Sequence, residues 1–213
     1  MNARAALAPI ALALLGLAVA QTSWVPRPFN GRNLDGWVAK SRPQGENLWK
    51  AAAAQLDPTE PGRFATKGGR DLVNDAPRYG ASWDLYSTAV YGDQKIELEV
   101  MVPKGSNSGI YVMGEYEVQV LDSFGRDANP GPGDMGAIYG ARPPRSPKYL
   151  APGEWNRYEI QFRAPRFDAS GKKTANARFV KVVLNGQVIH EDVEMSGPTP
   201  GGVDGREKPA GPI

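Results

Sequence analysis

Two polar side chains able to hold a proton or a hydroxyl stand two residues apart in the run YEVQVL, Tyr116 to Leu121. They are Glu117 and Gln119, with Asp122 just beyond. Strict alternation puts Val118 and Val120 on one face of this strand and Glu117 and Gln119 on the other. Asp122 falls on the Val118 side, so it joins the polar face only if the strand has ended or bulged there. A carboxylate, an amide and a second carboxylate are suited to proton transfer or to hydrogen bonds with sugar hydroxyls. Competing chemistries are largely removed by composition. The chain has no cysteine and a single histidine, His190. This excludes a disulfide framework, a thiolate nucleophile, a cysteine-based zinc site, paired-histidine metal motifs and nearly all Ser–His catalysis.

The elements that must position these groups read as β. KIELEVMV, Lys95 to Val102, alternates with Ile96, Leu98 and Val100 on one face and Glu97 and Glu99 on the other. Residues 109–113 and 116–121 form a hairpin around Gly114-Glu115. Glu154 to Arg163 alternates again, with Tyr158, Ile160 and Phe162 inward. Arg178 to Leu184 and Gln187 to Glu191 flank Asn185-Gly186, a strong two-residue hairpin turn. Glycines and prolines (25 and 19) punctuate the chain throughout. No long helical periodicity follows the N-terminal segment. The expectation is an all-β fold, a two-sheet antiparallel β-sandwich or jelly roll, with Ile110, Val118, Val120, Ile160, Phe162 and Val182 in its core.

On the polar side of the hairpin, alternation places Tyr111 and Met113 facing outward beside Glu117 and Gln119. If Lys95–Val102 lies next to them, Glu97 and Glu99 join the same surface. The alternation itself favours a plain solvated sheet face for those two. Residues 125–140 form a long Gly/Pro-rich loop that could cover Glu117 and Gln119 and deliver Tyr139 to the groove. Arg142, and Arg145 after it, could reach substrate oxygens. Trp155 reads as core or rim packing, Glu154 as a strand start, and His190 as an exposed edge histidine.

The N-terminus differs. Arg4 precedes an apolar run, Ala5 to Val19, ending in Ala18-Val19-Ala20 before Gln21. This is the pattern of a secretory signal, residues 1–20, leaving one domain over 21–213 in the periplasm or outside the cell. The run is broken by Pro9 and is shorter than the ~20 apolar residues a membrane span needs. With 25 basic and 23 acidic residues, a formal net charge of +2 and no basic tract, nucleic acid is not an expected partner.

Five blocks, in order, carry a resemblance. FNGRNLDGW (Phe29 to Trp37), SNSGIYVMGEYEVQVLDSFG, GAIYG (Gly136 to Gly140), PGEWNRYEIQFRAPRFD and VVLNGQVIHEDVEMSGPT resemble the 3-keto-disaccharide hydrolase family, whose fold is similar to the concanavalin A-like jelly rolls. The resemblance implies an exported enzyme that cleaves glycosides oxidised to a ketone at C3, by C2 proton abstraction, elimination and hydration. Under that reading Glu117 is the base. Gln119, Tyr111 or a divalent metal would stabilise the enolate, and Asp122 would be a metal ligand or orienting group, Glu117 being the other possible ligand. Relatives continue past AGPI into a further strand, so the domain is expected to lack its C-terminal strand. A non-catalytic carbohydrate-binding module on the same fold is the alternative.

Overall fold

The computed structural model describes residues 27–78 and 80–213, so the expected signal segment lies outside the described residues. Among the described residues there are twelve strands and no helix: β1 (Trp37–Lys40), β2 (Trp49–Ala53), β3 (Lys67–Asn74), β4 (Asp84–Ser87), β5 (Gln94–Met101), β6 (Asn107–Val112), β7 (Tyr116–Leu121), β8 (Trp155–Arg163), β9 (Arg166–Phe167), β10 (Lys173–Ala175), β11 (Ala177–Leu184) and β12 (Gln187–Met195). Every strand pairing is antiparallel. The fold is a β-sandwich of the jelly-roll type. One wall is the four-stranded sheet in the order β12-β11-β8-β5; the β6-β7 hairpin packs across from it. β1-β4, β2-β3 and β9-β10 complete the strand pairs.

Alternation decides what faces the core. On β8, Asn156, Tyr158, Ile160 and Phe162 are buried while Arg157, Gln161 and Arg163 are exposed. The Phe162 ring meets Tyr116 of the hairpin at 5.1 Å between centroids and Phe179 of β11 at 5.0 Å. The Tyr158 hydroxyl crosses the sandwich to donate to the Gln119 backbone carbonyl at 3.0 Å. All six expected core residues, Ile110, Val118, Val120, Ile160, Phe162 and Val182, are buried.

Glu97 and Glu99 do not join the hairpin's polar face. β5 pairs with β8, in the opposite wall, and the core separates these carboxylates from Glu117. They are exposed on the outer side, where Glu97 pairs with Lys95 at 2.5 Å and Arg157 at 3.6 Å. Met113 is also displaced from its expected position. β6 ends at Val112, and a left-handed backbone at Met113 (φ 55°) breaks the alternation and turns its side chain into the core.

His190 is the clearest departure from simple alternation. Val182 pairs with His190, but Val183 pairs with Val188, so Ile189 is an extra residue in β12. This bulge makes Ile189 and His190 both buried. Instead of lying at an exposed edge, the imidazole is enclosed and its Nε2–H donates to the Gly136 carbonyl at 2.8 Å. The turn before it is as expected: Asn185 (φ 51°) and Gly186 (φ 79°) both take the left-handed backbone that a tight two-residue hairpin needs.

Candidate active site

The site is built on three adjacent chain segments. In the hairpin register Tyr111 stands opposite Glu117 and Gly109 opposite Gln119. On the other side of β7, the loop that the sequence placed near this face adds backbone pairing of its own. Val118 bridges Ile138, the Gln119 N–H donates to the Ala137 carbonyl, and the Tyr139 N–H donates to the Glu117 carbonyl at 3.1 Å. Cross-strand neighbours share a face. Tyr111, Glu117 and Tyr139 therefore form one row, and Gly109, Gln119 and Ala137 the next.

This face is not open to solvent. Glu117 is 7% exposed and Gln119 3%, because the 131–139 loop and the segment after β12 close over β7. Thr199 anchors that segment: its hydroxyl accepts the Glu117 N–H at 2.8 Å and its own N–H donates to the Glu115 carbonyl. Glu115, also buried, accepts the N–H groups of Asp204 and Gly205 at 3.0 Å each. Lys40 of β1 donates to the carbonyls of Gly202 and Val203.

The Glu117 carboxyl meets the Tyr111 hydroxyl at 2.7 Å, and the same hydroxyl lies 2.9 Å from the Pro200 carbonyl. A phenol has one proton and cannot donate to both oxygens. Ionised, Glu117 accepts the phenol proton; protonated, it donates to the tyrosine oxygen while Tyr111 donates to Pro200. Burial pushes the Glu117 pKa above the usual carboxylate range, the Tyr111 hydrogen bond opposes this, and the negative charge of Asp84 adds to it. Burial, followed by the Glu117 contact, raises the Tyr111 phenol as well. Glu117 is thus a carboxyl group poised to exchange a proton nearer neutrality than an exposed glutamate would.

Gln119 is held by its amide, which donates to the Gly133 carbonyl at 3.1 Å, while its buried Oε1 has no partner among the described residues. Tyr139, 36% exposed, forms the accessible lip of the row. Arg142 is exposed three residues on, its backbone closing a turn with Ile138, and its charge bears on His190. Asp122 is not brought to Glu117. β7 ends at Leu121, and the Asp122 carboxylate accepts the Gly105 N–H at 2.9 Å, tying down the turn before β6. Five residues of strand, roughly 17 Å, separate the two. They cannot share a metal ion, and among the described residues no three His, Asp or Glu converge on one. Glu117 and Asp122 therefore form no joint metal site.

Sequence reasoning missed Asp84, Tyr86 and the cover. Asp84 and Tyr86 lie on β4, where Asp84 pairs with Arg42 and bears electrostatically on Tyr86, Tyr111 and Glu117. Their short strand carries no local pattern. Thr199-Pro200-Gly201-Gly202 reads only as a turn, although a Cβ on Gly201 would lie 2.5 Å from the Tyr111 oxygen.

The comparisons with known proteins place this β-sandwich among the glycoside-acting, hydrolase-type enzymes. The chain belongs to the family of the 3-keto-alpha-glucoside-1,2-lyase-like domain, whose model matches residues 26–213. Among solved structures it is similar to a protein of Parabacteroides distasonis ATCC 8503 assigned provisionally as a glycosyl hydrolase, with 28% identity and a TM-score of 0.59 over 87% of this chain and 72% of that one. A second protein from that organism, with the same provisional assignment, is 16% identical with a TM-score of 0.54 over 87% and 83% of the two chains, a likeness of fold alone. No curated protein matches the chain.

Proposed function

We propose that the protein cleaves 3-keto-glycosides by elimination and hydration, after export through its N-terminal signal. The observation that carries the reading is the Glu117–Tyr111 pair, a proton acceptor of raised pKa in contact with a hydrogen-bond donor. A ketone at C3 acidifies the hydrogen at C2. Glu117, as carboxylate, takes that proton, and the electron pair moves toward the C3 oxygen to form an enolate. Tyr111 donates to this oxygen where negative charge develops. The enolate re-forms the ketone as the C1–oxygen bond breaks, leaving a C1–C2 double bond, and the departing oxygen leaves as an alcohol by taking the proton held on Glu117. Water then adds its oxygen to C1, and C2 regains a proton. Gln119 Oε1 is available to a substrate hydroxyl and Tyr139 to the face of the sugar ring. Reaction requires the Thr199–Gly201 segment to move aside, since it closes over the carboxyl.

The alternative is a non-catalytic carbohydrate-binding module on the same fold. Turnover decides between the two. Glu117→Gln should retain the melting temperature and cut turnover of a 3-keto-glycoside about a hundredfold or more. A substrate deuterated at C2 should react more slowly where proton abstraction limits the rate. Retained turnover in Glu117→Gln removes Glu117 from the mechanism; sugar binding by the wild type without turnover establishes the binding module. Mass spectrometry of the exported protein should show loss of residues 1–20.

A further inference from the structure

Gly109 sits inside β6, where a glycine weakens a strand and has no side chain to pack. Its backbone is not in the left-handed region, so conformation does not require glycine there. Space does. A Cβ at this position would lie 2.2 Å from Glu117 Oε1 and 2.8 Å from its Cδ and Cγ. Glu117 stands opposite Tyr111, two residues along β6, so its side chain leans diagonally across the strand pair to lie over the bare backbone of Gly109.

We infer that Gly109 is a positioning residue for Glu117: the absence of its side chain makes the seat in which the carboxyl lies while Tyr111 holds the other oxygen. The two residues divide the task. Gly109 leaves room for Oε1, and Tyr111 bonds Oε2 at 2.7 Å. An added methyl group pushes the carboxyl off the phenol, and because the surrounding face is buried, the carboxyl cannot withdraw into solvent. The inference rests on Glu117 as the group that exchanges the proton.

The test is Gly109→Ala, read with a 3-keto-glycoside and as stability. The variant should lower kcat about a hundredfold, the effect of a displacement of roughly 1 Å, with a smaller change in KM. It should also shift the acid limb of the pH–rate profile, which a general loss of stability would not do. Pairing it with Glu117→Asp, shorter by one methylene, should give more activity than Gly109→Ala alone. Stability supplies a readout that does not depend on activity. Any loss of stability in Gly109→Ala should be relieved when Glu117→Ala removes the carboxyl from the same space. Unchanged kcat and pH limb in Gly109→Ala, beside an inactive Glu117→Gln, overturns the inference. So does a loss of stability that Glu117→Ala leaves in place. An active Glu117→Gln instead overturns the assignment of Glu117, while the stability cycle still tests the seat.

Discussion

Lowering the pH from 7 to 5 should cost the folded protein about 2 kcal/mol through His190 alone. The imidazole is 1% exposed, and burial lowers its pKa from 6.5 to about 4, with the charges of Arg142 and Arg145 adding to the effect and the Gly136 hydrogen bond opposing it. Between those two values the unfolded chain binds a proton that the native protein excludes. This contribution to stability is full above pH 6.5, falls as the pH drops toward 4, and is constant below that. The interval from 6.5 to about 4 corresponds to about 3 kcal/mol, at 1.36 kcal/mol per pH unit, and about 2 of this is spent by pH 5. Urea unfolding of the wild type and of His190→Gln, at pH 7 and pH 5, measures it. Glutamine keeps an N–H donor for the Gly136 carbonyl but does not titrate. Glu115 and Glu117, whose raised pKa values act in the opposite direction, are common to both proteins and cancel in the comparison. The wild type should lose about 2 kcal/mol more than the variant. Equal losses would refute the buried, neutral histidine.

Because the Glu117 pKa is raised above 4.5, turnover of a 3-keto-glycoside should rise with pH along a limb centred above that value. Tyr111→Phe removes the hydrogen bond that lowers this pKa, so it should move the limb further up and reduce kcat by about a hundredfold as the enolate loses its donor; steady-state kinetics across pH checks both. Asn185→Ala should cost about 3 kcal/mol in urea unfolding. It puts alanine at φ 51° and leaves the Arg157 N–H and the Lys148 carbonyl without their side-chain partner. Val120→Asp places a carboxylate at a 4%-exposed core position, and circular dichroism should show an unfolded chain.

The parts of the fold that were legible in the sequence are those in which one strand contains its own evidence. β8 alternates without interruption, so Tyr158, Ile160 and Phe162 identify its inner face without reference to any partner. Asn185-Gly186 carries its turn in its own backbone preference. What could not be read depends on pairing across the sheet. Nothing local in QVIHEDV marks Ile189 as an extra residue; the mismatch exists only against Val182 and Val183. Glu97 and Glu117 have the same local pattern, polar between apolar neighbours, yet they lie on opposite walls because β5 pairs with β8. For the site, alternation correctly put Glu117, Gln119 and Tyr111 together and made Asp122 conditional on where the strand ended. The cover from residues 199–202 and the charge of Asp84 come from segments far away in sequence, and no spacing rule reaches them.

The extra residue at Ile189 has a consequence for how this chain can change in length. A β-pleat repeats every two residues, so an insertion or deletion of one inverts the facing of all that follows until a second irregularity restores it. Residues 190–195 are set in phase with β11 by that irregularity and by a second at Asp192, whose φ is 52°. Deleting Ile189 would not simply shorten a strand. Either Val193 and Met195 would turn outward as Asp192 and Glu194 turned inward, or the hairpin turn would have to re-form one residue out of step. Insertions should be accepted more readily where the pleat has ended, in the exposed turn at Ser170-Gly171. Between Asn185 and Met195 the number of residues is as constrained as their identity.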